Sequence, residues 1–524
     1  MYDGGKGRGY DRAADVVVVG YGGAGAVAAA TACDAGAHVL LVEKQPADRR
    51  RPSTRLSGGL FLVPHDTEAA ARYLGALSRF GLDGEQETDP AVIRAWAEET
   101  ARTPAWLAER GATSVLMSDS GEHPTVDGHT SLSVHKPDMV DHPGGHHRGW
   151  GYGLFDFLSR QVTGRPVDVL HEASAQWLLT DAAGAVRGVQ VRHRGREIRV
   201  RAGRATILTC GGFEFDTLLK RTYLKAHPTH FYGNPENTGD GIRMAQDVGA
   251  DLWHMNACSG RLVARFPGSG YPGGCPVDLW AVEATPAFTR LTGGDRRAVP
   301  LADTEVAAPE SVPGALVVDR YGRRYTSELQ RLHTLYYELT DLDSHRLVHP
   351  KIPSWWVFDS RRMAAGPLVP GYAGPTGPLR EIRWDNDDAV RRGWVRTAGT
   401  AAGLAARCGM DPDELTRTMT AYNADCARGE DSRFARPPGM LTALDAPPYH
   451  AVCLWPGGPN TQGGPRRDAE SRVMSVRGHP IPGLYAAGEL GSVYGMLYPA
   501  GGANIAECLA FGRIAGHHAA GKRP

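Results

Sequence analysis

Glycines spaced Gly20-x-Gly22-x-x-Gly25, with Glu43 eighteen positions further on, are residue types suited to holding a dinucleotide. Such glycines permit a tight turn, a close backbone approach to phosphate and close helix packing, and the acid can accept ribose hydroxyls. A second set stands more than four hundred residues away. It comprises Gly488-Glu489, whose carboxylate can accept a ribityl or ribose hydroxyl, and Ala503-Asn504-Ile505. At a helix start, the backbone N–H groups of these last three would face the electron-rich edge of an isoalloxazine. The first set alone suits NAD as well as FAD. The second suits the larger ligand, so the expected cofactor is FAD.

These residues need particular elements beneath them. Val16–Val19 reads as an apolar strand, Gly22 onward as an Ala-rich helix, and Ala37–Glu43 as the next strand. Arg204–Cys210 is a further buried strand ending at Gly211-Gly212, where backbone can approach a ligand closely. Val186–Val200 alternates like an exposed hairpin beside it. Thr238–Ala250 starts a helix with Asp240 near its N-terminus, either as a cap or facing the ligand. Pro482–Ala487 is a turn and short strand, and Gly501–Ala519 a helix. The expected fold is α/β: a Rossmann-type FAD-binding domain formed by both chain ends, with an α+β capping (substrate) domain inserted. The expected boundaries are a flexible Gly-rich leader over 1–14, FAD-binding residues 15–255 and 446–524, and a cap over 256–445. Within the cap, Pro and Gly rise over 266–314 and Trp and Tyr recur.

Bulk properties remove several classes. At 524 residues two or three domains are expected. Lys plus Arg and Asp plus Glu are 58 each, so no basic field draws nucleic acid or anionic lipid. The eight cysteines are scattered without a C-x-x-C, which argues against a zinc ribbon, an iron–sulfur cluster or attached haem. They read as small apolar fillers of a reduced protein. No run of about twenty apolar residues occurs, so a soluble, cytoplasmic protein is expected.

Taken together, these motifs resemble the flavoprotein family of fumarate reductases and 3-ketosteroid dehydrogenases. The resemblance runs through Gly20–Gly25 with Glu43, Leu56-Ser57-Gly58-Gly59, Cys210–Phe213 and Thr238–Ala250. It continues through Leu316–Glu328, Ala421–Phe434, Pro447–Tyr449, Asn460–Gly464 and Ala486–Gly516. It implies noncovalent FAD, since no His lies in Pro52–Ser57, where succinate dehydrogenases attach the flavin. It also implies cofactor contacts at Gly23, Ala24, Lys44, Ser57, Gly58, Gly59, Ala175, Gly211, Gly212 and Asp240, besides the residues above.

Departures from the family pattern decide the chemistry expected. The relatives that reduce fumarate place His where Asn460 stands, and Arg where Pro499 stands, to hold a substrate carboxylate. A small dicarboxylate is therefore disfavoured. Tyr498-Pro-Ala-Gly-Gly502 instead resembles the ketosteroid enzymes, in which the Tyr hydroxyl and a Gly amide hold a ketone. Two neutral donors there would stabilise enolate charge as a proton leaves the neighbouring carbon. The alternative is that Tyr498 only packs on the flavin. The family's base or proton donor falls near Leu332, and Arg331, His333 and Tyr336 are the neighbouring candidates, with the base unassigned. His135 to Arg148, with His142, His146 and His147, reads as a loop near substrate rather than a metal site.

The expected activity is FAD-dependent desaturation of an apolar, cyclic ketone or its reverse, with the electron partner unknown. Alternatives are reduction of an enone or unsaturated acid using an external donor, a flavin monooxygenase, and a non-enzymatic flavin-binding subunit.

Overall fold

The computed structural model describes residues 9–79, 84–138, 151–269, 273–275, 277, 314–328, 332–369 and 384–521. They divide into two compact units: 1–224 with 233–259 and 460–524, and 225–232 with 260–459.

The first unit is built on an eight-stranded sheet. Val-rich β1 (Arg12–Val19) is followed by α1 (Gly23–Asp34) and β2 (Val39–Val42). Then come β3 (Val167–Leu170), β4 (Ala173–Thr180), β5 (Val186–His193) and β6 (Arg196–Leu208). The carboxyl-terminal segment adds β7 (Arg472–Met474) and β8 (Pro480–Ala486). The order is β7-β8-β6-β1-β2-β3, with the hairpin β4-β5 joined to β6. Strands β8, β6, β1, β2 and β3 run parallel. Central strands buried on both faces read as continuous apolar runs, which is why Val16–Val19 and Val39–Val42 were recognisable.

Register places the chemistry. Val19 pairs with Val42 and with Leu208, Leu208 with Ala486, and Val42 with Leu170. The residues just beyond these partners are Gly20, Glu43, Thr209 and Ala487, so four turns from three distant parts of the chain share one edge. Ligands of open parallel sheets bind outside the carboxyl ends of the strands.

Two helices cover this sheet. Gly512 and Gly516 of α3 (Ala503–Ala519) lie against α1, where a Cβ would meet the Ala24 carbonyl at 3.0 Å and the Ala28 carbonyl at 2.7 Å. Small residues here let the helix from one chain end close upon the helix from the other. One of the helices between them in sequence, α2 (Asp240–Asp247), begins at Gly239 in the left-handed region, φ +73°.

The leader expected over 1–14 ends earlier among the described residues. Arg12–Ala14 pair with Val200–Ala202, because long β6 offers them backbone partners.

The second unit carries a six-stranded sheet in which Ser354–Asp359 runs antiparallel between Ala315–Val318 and Tyr449–Thr461. Leu404, Leu415, Met419 and Tyr422, from helices Ala401–Cys408 and Pro412–Arg428, pack on it. Buried Arg324 donates to Glu328 at 2.8 Å and to Asp431 at 2.7 Å. Burial opposes ionisation of Asp431, but the Arg324 bonds and charge hold its carboxyl down at about 2. Where residues 256 and 446 were expected to bound the insertion, the units divide after Ser259 and after Pro459. Residues 225–232 also join the second unit, because His230-Phe231 pairs with Gly457-Gly458. Among the described residues no helix is long and apolar enough to cross a membrane.

Candidate cofactor and active site

The first turn sorts its glycines by task. Gly20 has φ +104°, and its missing Cβ accommodates the Thr209 carbonyl. A Cβ on Gly25 would overlap the Gly20 carbonyl oxygen, and one on Gly23 would lie 2.7 Å from Thr54 Oγ1. Gly22 differs: its nearest neighbour would be Pro52 Cβ at 3.8 Å, leaving room for a ligand to touch the backbone. Ala24 is buried against Gly488, whose absent Cβ would come within 3.0 Å of the Ala24 methyl.

Glu43 follows β2 with its carboxylate fixed by two amides, accepting from Tyr21 N at 2.8 Å and Gln45 N at 2.7 Å. Arg50 stacks over the Tyr21 ring at 3.7 Å and steadies that turn. Lys44 Nζ donates to Asp240 Oδ2 at 2.9 Å and Thr238 Oγ1 at 3.0 Å. The cap of α2 is Gly239, so Asp240 is an ion-pair partner rather than a helix cap. Asp240 and Ala175 together line an open groove of about 350 Å³ with Gln176, Trp177 and Arg243. Ser57 Oγ accepts from Gly59 N at 3.0 Å and donates to the Thr54 carbonyl at 2.8 Å, shaping the loop through Gly58.

After β6, a Cβ on Gly211 would lie 2.8 Å from Asn237 Oδ1. Gly212 has its Cβ space filled by Thr461 Oγ1 and Glu214, so its role is packing. Thr461 N and Oγ1 donate to buried Glu214 at 2.7 and 2.9 Å. Asn237 Nδ2 bridges the chain ends, donating to Ser53 Oγ at 3.1 Å and Glu489 Oε2 at 3.5 Å. Burial, then the Glu214 and Glu507 carboxylates, push the Glu489 carboxyl well above its ordinary range. Burial also pushes the adjacent Cys210 thiol up to about 12, which leaves it un-ionised.

The approach to α3 is tightly fixed. Tyr498 Oη accepts from Asn504 N at 3.0 Å, and Ala503 N donates to the Ala500 carbonyl at 3.2 Å. Two of the three N–H groups expected to face an isoalloxazine are thus engaged within the chain; Ile505 follows them on the buried first turn. The Pro499 carbonyl accepts from Tyr73 Oη at 2.9 Å and Glu122 N at 2.8 Å, and the His123 imidazole donates to the Tyr498 carbonyl at 2.9 Å. Gly502, φ +90°, passes so close to Leu60 that a Cβ would lie 2.7 Å from its carbonyl carbon. Asn460, buried, donates to the Thr461 carbonyl at 3.0 Å.

His333 and Tyr336 are buried on the helix Leu332–Glu338 of the second unit, where Gly260 makes room for Tyr336. Arg331 lies outside the described residues, as do His142, His146, His147 and Arg148. Asn237, Thr54, Tyr73 and His123 were not anticipated. Polar residues beside glycine turns were the available signal, but none belongs to a spaced motif.

These groups fit FAD: open backbone at Gly22 for phosphate, an oriented carboxylate at Glu43, and a polar triad of Ser53, Asn237 and Glu489. Gly22, Lys44, Ala175, Gly211, Asp240, Glu489 and Gly502 all keep partial exposure. A row of glycine turns at parallel strand ends, shared by two chain termini, defines a dinucleotide-binding flavoprotein. The chain belongs to the family described as FAD binding domain, whose pattern matches residues 15–270 and 299–505.

Among its relatives is NADH:fumarate oxidoreductase of Klebsiella pneumoniae, 25% identical across 97% of this chain and 47% of that protein. The chain thus spans about half the length of that relative. 3-Oxosteroid 1-dehydrogenase of Mycobacterium tuberculosis is 28% identical across 97% of this chain and 99% of that one. The structure of 3-ketosteroid Δ1-dehydrogenase from Sterolibacterium denitrificans, in complex with 1,4-androstadiene-3,17-dione, superposes with TM-score 0.79 at 22% identity. That match covers 97% of this chain and all of the other, and shows a shared fold.

Proposed function

We propose that this protein is a noncovalent FAD enzyme that desaturates a C–C bond beside the carbonyl of an apolar, cyclic ketone. When bound, FAD supplies the two-electron acceptor for hydride. Gly22, Glu43 and Glu489 hold its phosphate and sugar portions. The observation that carries the reading is the Asn504 N–H bond into the Tyr498 hydroxyl at a helix start. Accepting that bond polarises the phenol O–H toward donation, and a neutral donor suits a neutral ketone oxygen. As a proton leaves the α-carbon, charge grows on that oxygen, and Tyr498 with the Gly502 amide stabilises it. The sequence candidates to accept the proton are His333 and Tyr336, while a guanidinium at Arg331 suits proton donation in the reverse direction. Asn460 spends its amide on the neighbouring carbonyl, and Pro499 carries no charge, so neither anchors a carboxylate.

Similarity to a fumarate oxidoreductase keeps the reverse direction, reduction of an enone or unsaturated acid, as the second reading. Anaerobic stopped-flow mixing separates the two. A saturated cyclic ketone should bleach the oxidised flavin, and Tyr498→Phe should slow bleaching by about 10² to 10³, the range for losing one such donor. Reoxidation of reduced flavin by an unsaturated acid, without bleaching by any ketone, would favour the reductase. Unchanged bleaching in Tyr498→Phe would remove the assigned role of that hydroxyl.

A further inference from the structure

The turn bearing Glu489 rests on charged side chains to which no role has been assigned above. Glu507, in the second turn of α3, and Arg467, in the segment after Gly464-Pro465, form an ion pair with both side chains wholly excluded from solvent. Arg467 Nη1 donates to the Ala486 carbonyl at 3.2 Å, and its guanidinium lies 4.6 Å from the Phe511 ring centre. The last residue of β8 is thus held by one member of the pair, and the other member, in the second turn of α3, lies near enough to Gly488 and Glu489 to act on their turn electrostatically. Ser471 adds a second clamp, donating to the Ala486 carbonyl at 2.7 Å. Gly488, φ +84°, is held in the left-handed region with Ala24 against it.

Sequestering two charges is expensive, and replacing a buried pair by apolar residues of similar volume is often neutral or stabilising. Stability alone gives little reason for this pair at the foot of a nucleotide cradle. We propose that Arg467 and Glu507 are positioning residues for FAD, setting the Gly488-Glu489 turn before the cofactor arrives. The proposal rests on the FAD reading and adds to it a pair that does not itself touch the ligand.

The test uses full-length protein stripped of flavin. Arg467→Met with Glu507→Leu removes both charges at similar volume, and Arg467→Lys alone keeps both charges and a donor for the Ala486 carbonyl. FAD dissociation constants, bound-flavin spectra and flavin-free melting temperatures are measured for each. The Met/Leu protein should melt close to wild type yet bind FAD about tenfold or more weakly, with the Arg467→Lys protein keeping most of the affinity. Wild-type affinity in the Met/Leu protein would overturn the proposal. Hydrogen exchange on flavin-free wild type decides the matter should that variant not fold. Protection across 486–489 before FAD is added is expected, and protection that arises only with FAD would overturn the preset turn. A wild type that binds no FAD would overturn the cofactor reading instead, which the first titration reveals separately.

Discussion

At Gly25 an added Cβ would collide with the Gly20 carbonyl, whereas at Gly22 it would meet only Pro52 Cβ at 3.8 Å. Gly25 has no room because β1 and α1 cross there, with Thr209 Oγ1 donating to the Gly20 carbonyl at 2.8 Å. Gly22 has room, at φ −94°, a conformation any residue adopts. Gly25→Ala should therefore cost about 3 kcal/mol or more of stability through forced backbone movement. Gly22→Ala should leave the flavin-free melting temperature nearly unchanged and weaken FAD binding about tenfold or more. Thermal melts and FAD titrations of both variants check this. Equal loss of stability in the two would contradict the division of labour. The spacing alone revealed that these glycines belong together, because turn, approach and packing each need one at a set interval. It did not reveal Asn237 or Thr54, whose roles arise from neighbours far away in sequence.

The segment from Gly488 to Tyr498 connects the β8 turn to α3 and is braced from outside by His254. This histidine is buried in a left-handed conformation, φ +54°, and lies parallel to the Trp253 ring at 4.6 Å. Its Nδ1 donates to the Ser492 carbonyl at 2.7 Å. Burial pushes the imidazole down to about 4, with the Ser492 bond opposing and the Arg466 and Arg467 charges assisting. The folded value lies below the unfolded one near 6.5, so the unfolded chain takes up the proton first. The contribution is whole above pH 6.5 and is lost as pH falls toward 4, amounting to about 2 kcal/mol between pH 7 and pH 5. Melting temperature should fall over that window, and His254→Gln should flatten the fall. An identical pH profile in the variant would show that another group titrates. Strands and helices were legible because their apolar runs and glycine stops are local. The bracing was not, since His254 lies 238 positions from Ser492. Likewise Asp240 was expected either to face the ligand or to cap the helix it opens, and the structure gives the cap to Gly239 and the carboxylate a bond from Lys44.

Across the whole chain, pairing of β8 with β6 and packing of α3 on α1 unite residues near 20, 210 and 490 around one row of strand ends. That union was anticipated because each motif alone is incomplete as a flavin site. The exact limits of the inserted unit were not, since the pairing of 230–231 with 457–458 leaves no compositional mark. The central claim is that a single FAD is held jointly by both chain ends, and titration of flavin-free protein with FAD tests it most directly. The account predicts saturation at one FAD per chain for wild type, with Gly22→Ala and Glu489→Gln each binding more weakly. Absence of saturable binding, or undiminished affinity in either variant, would contradict it.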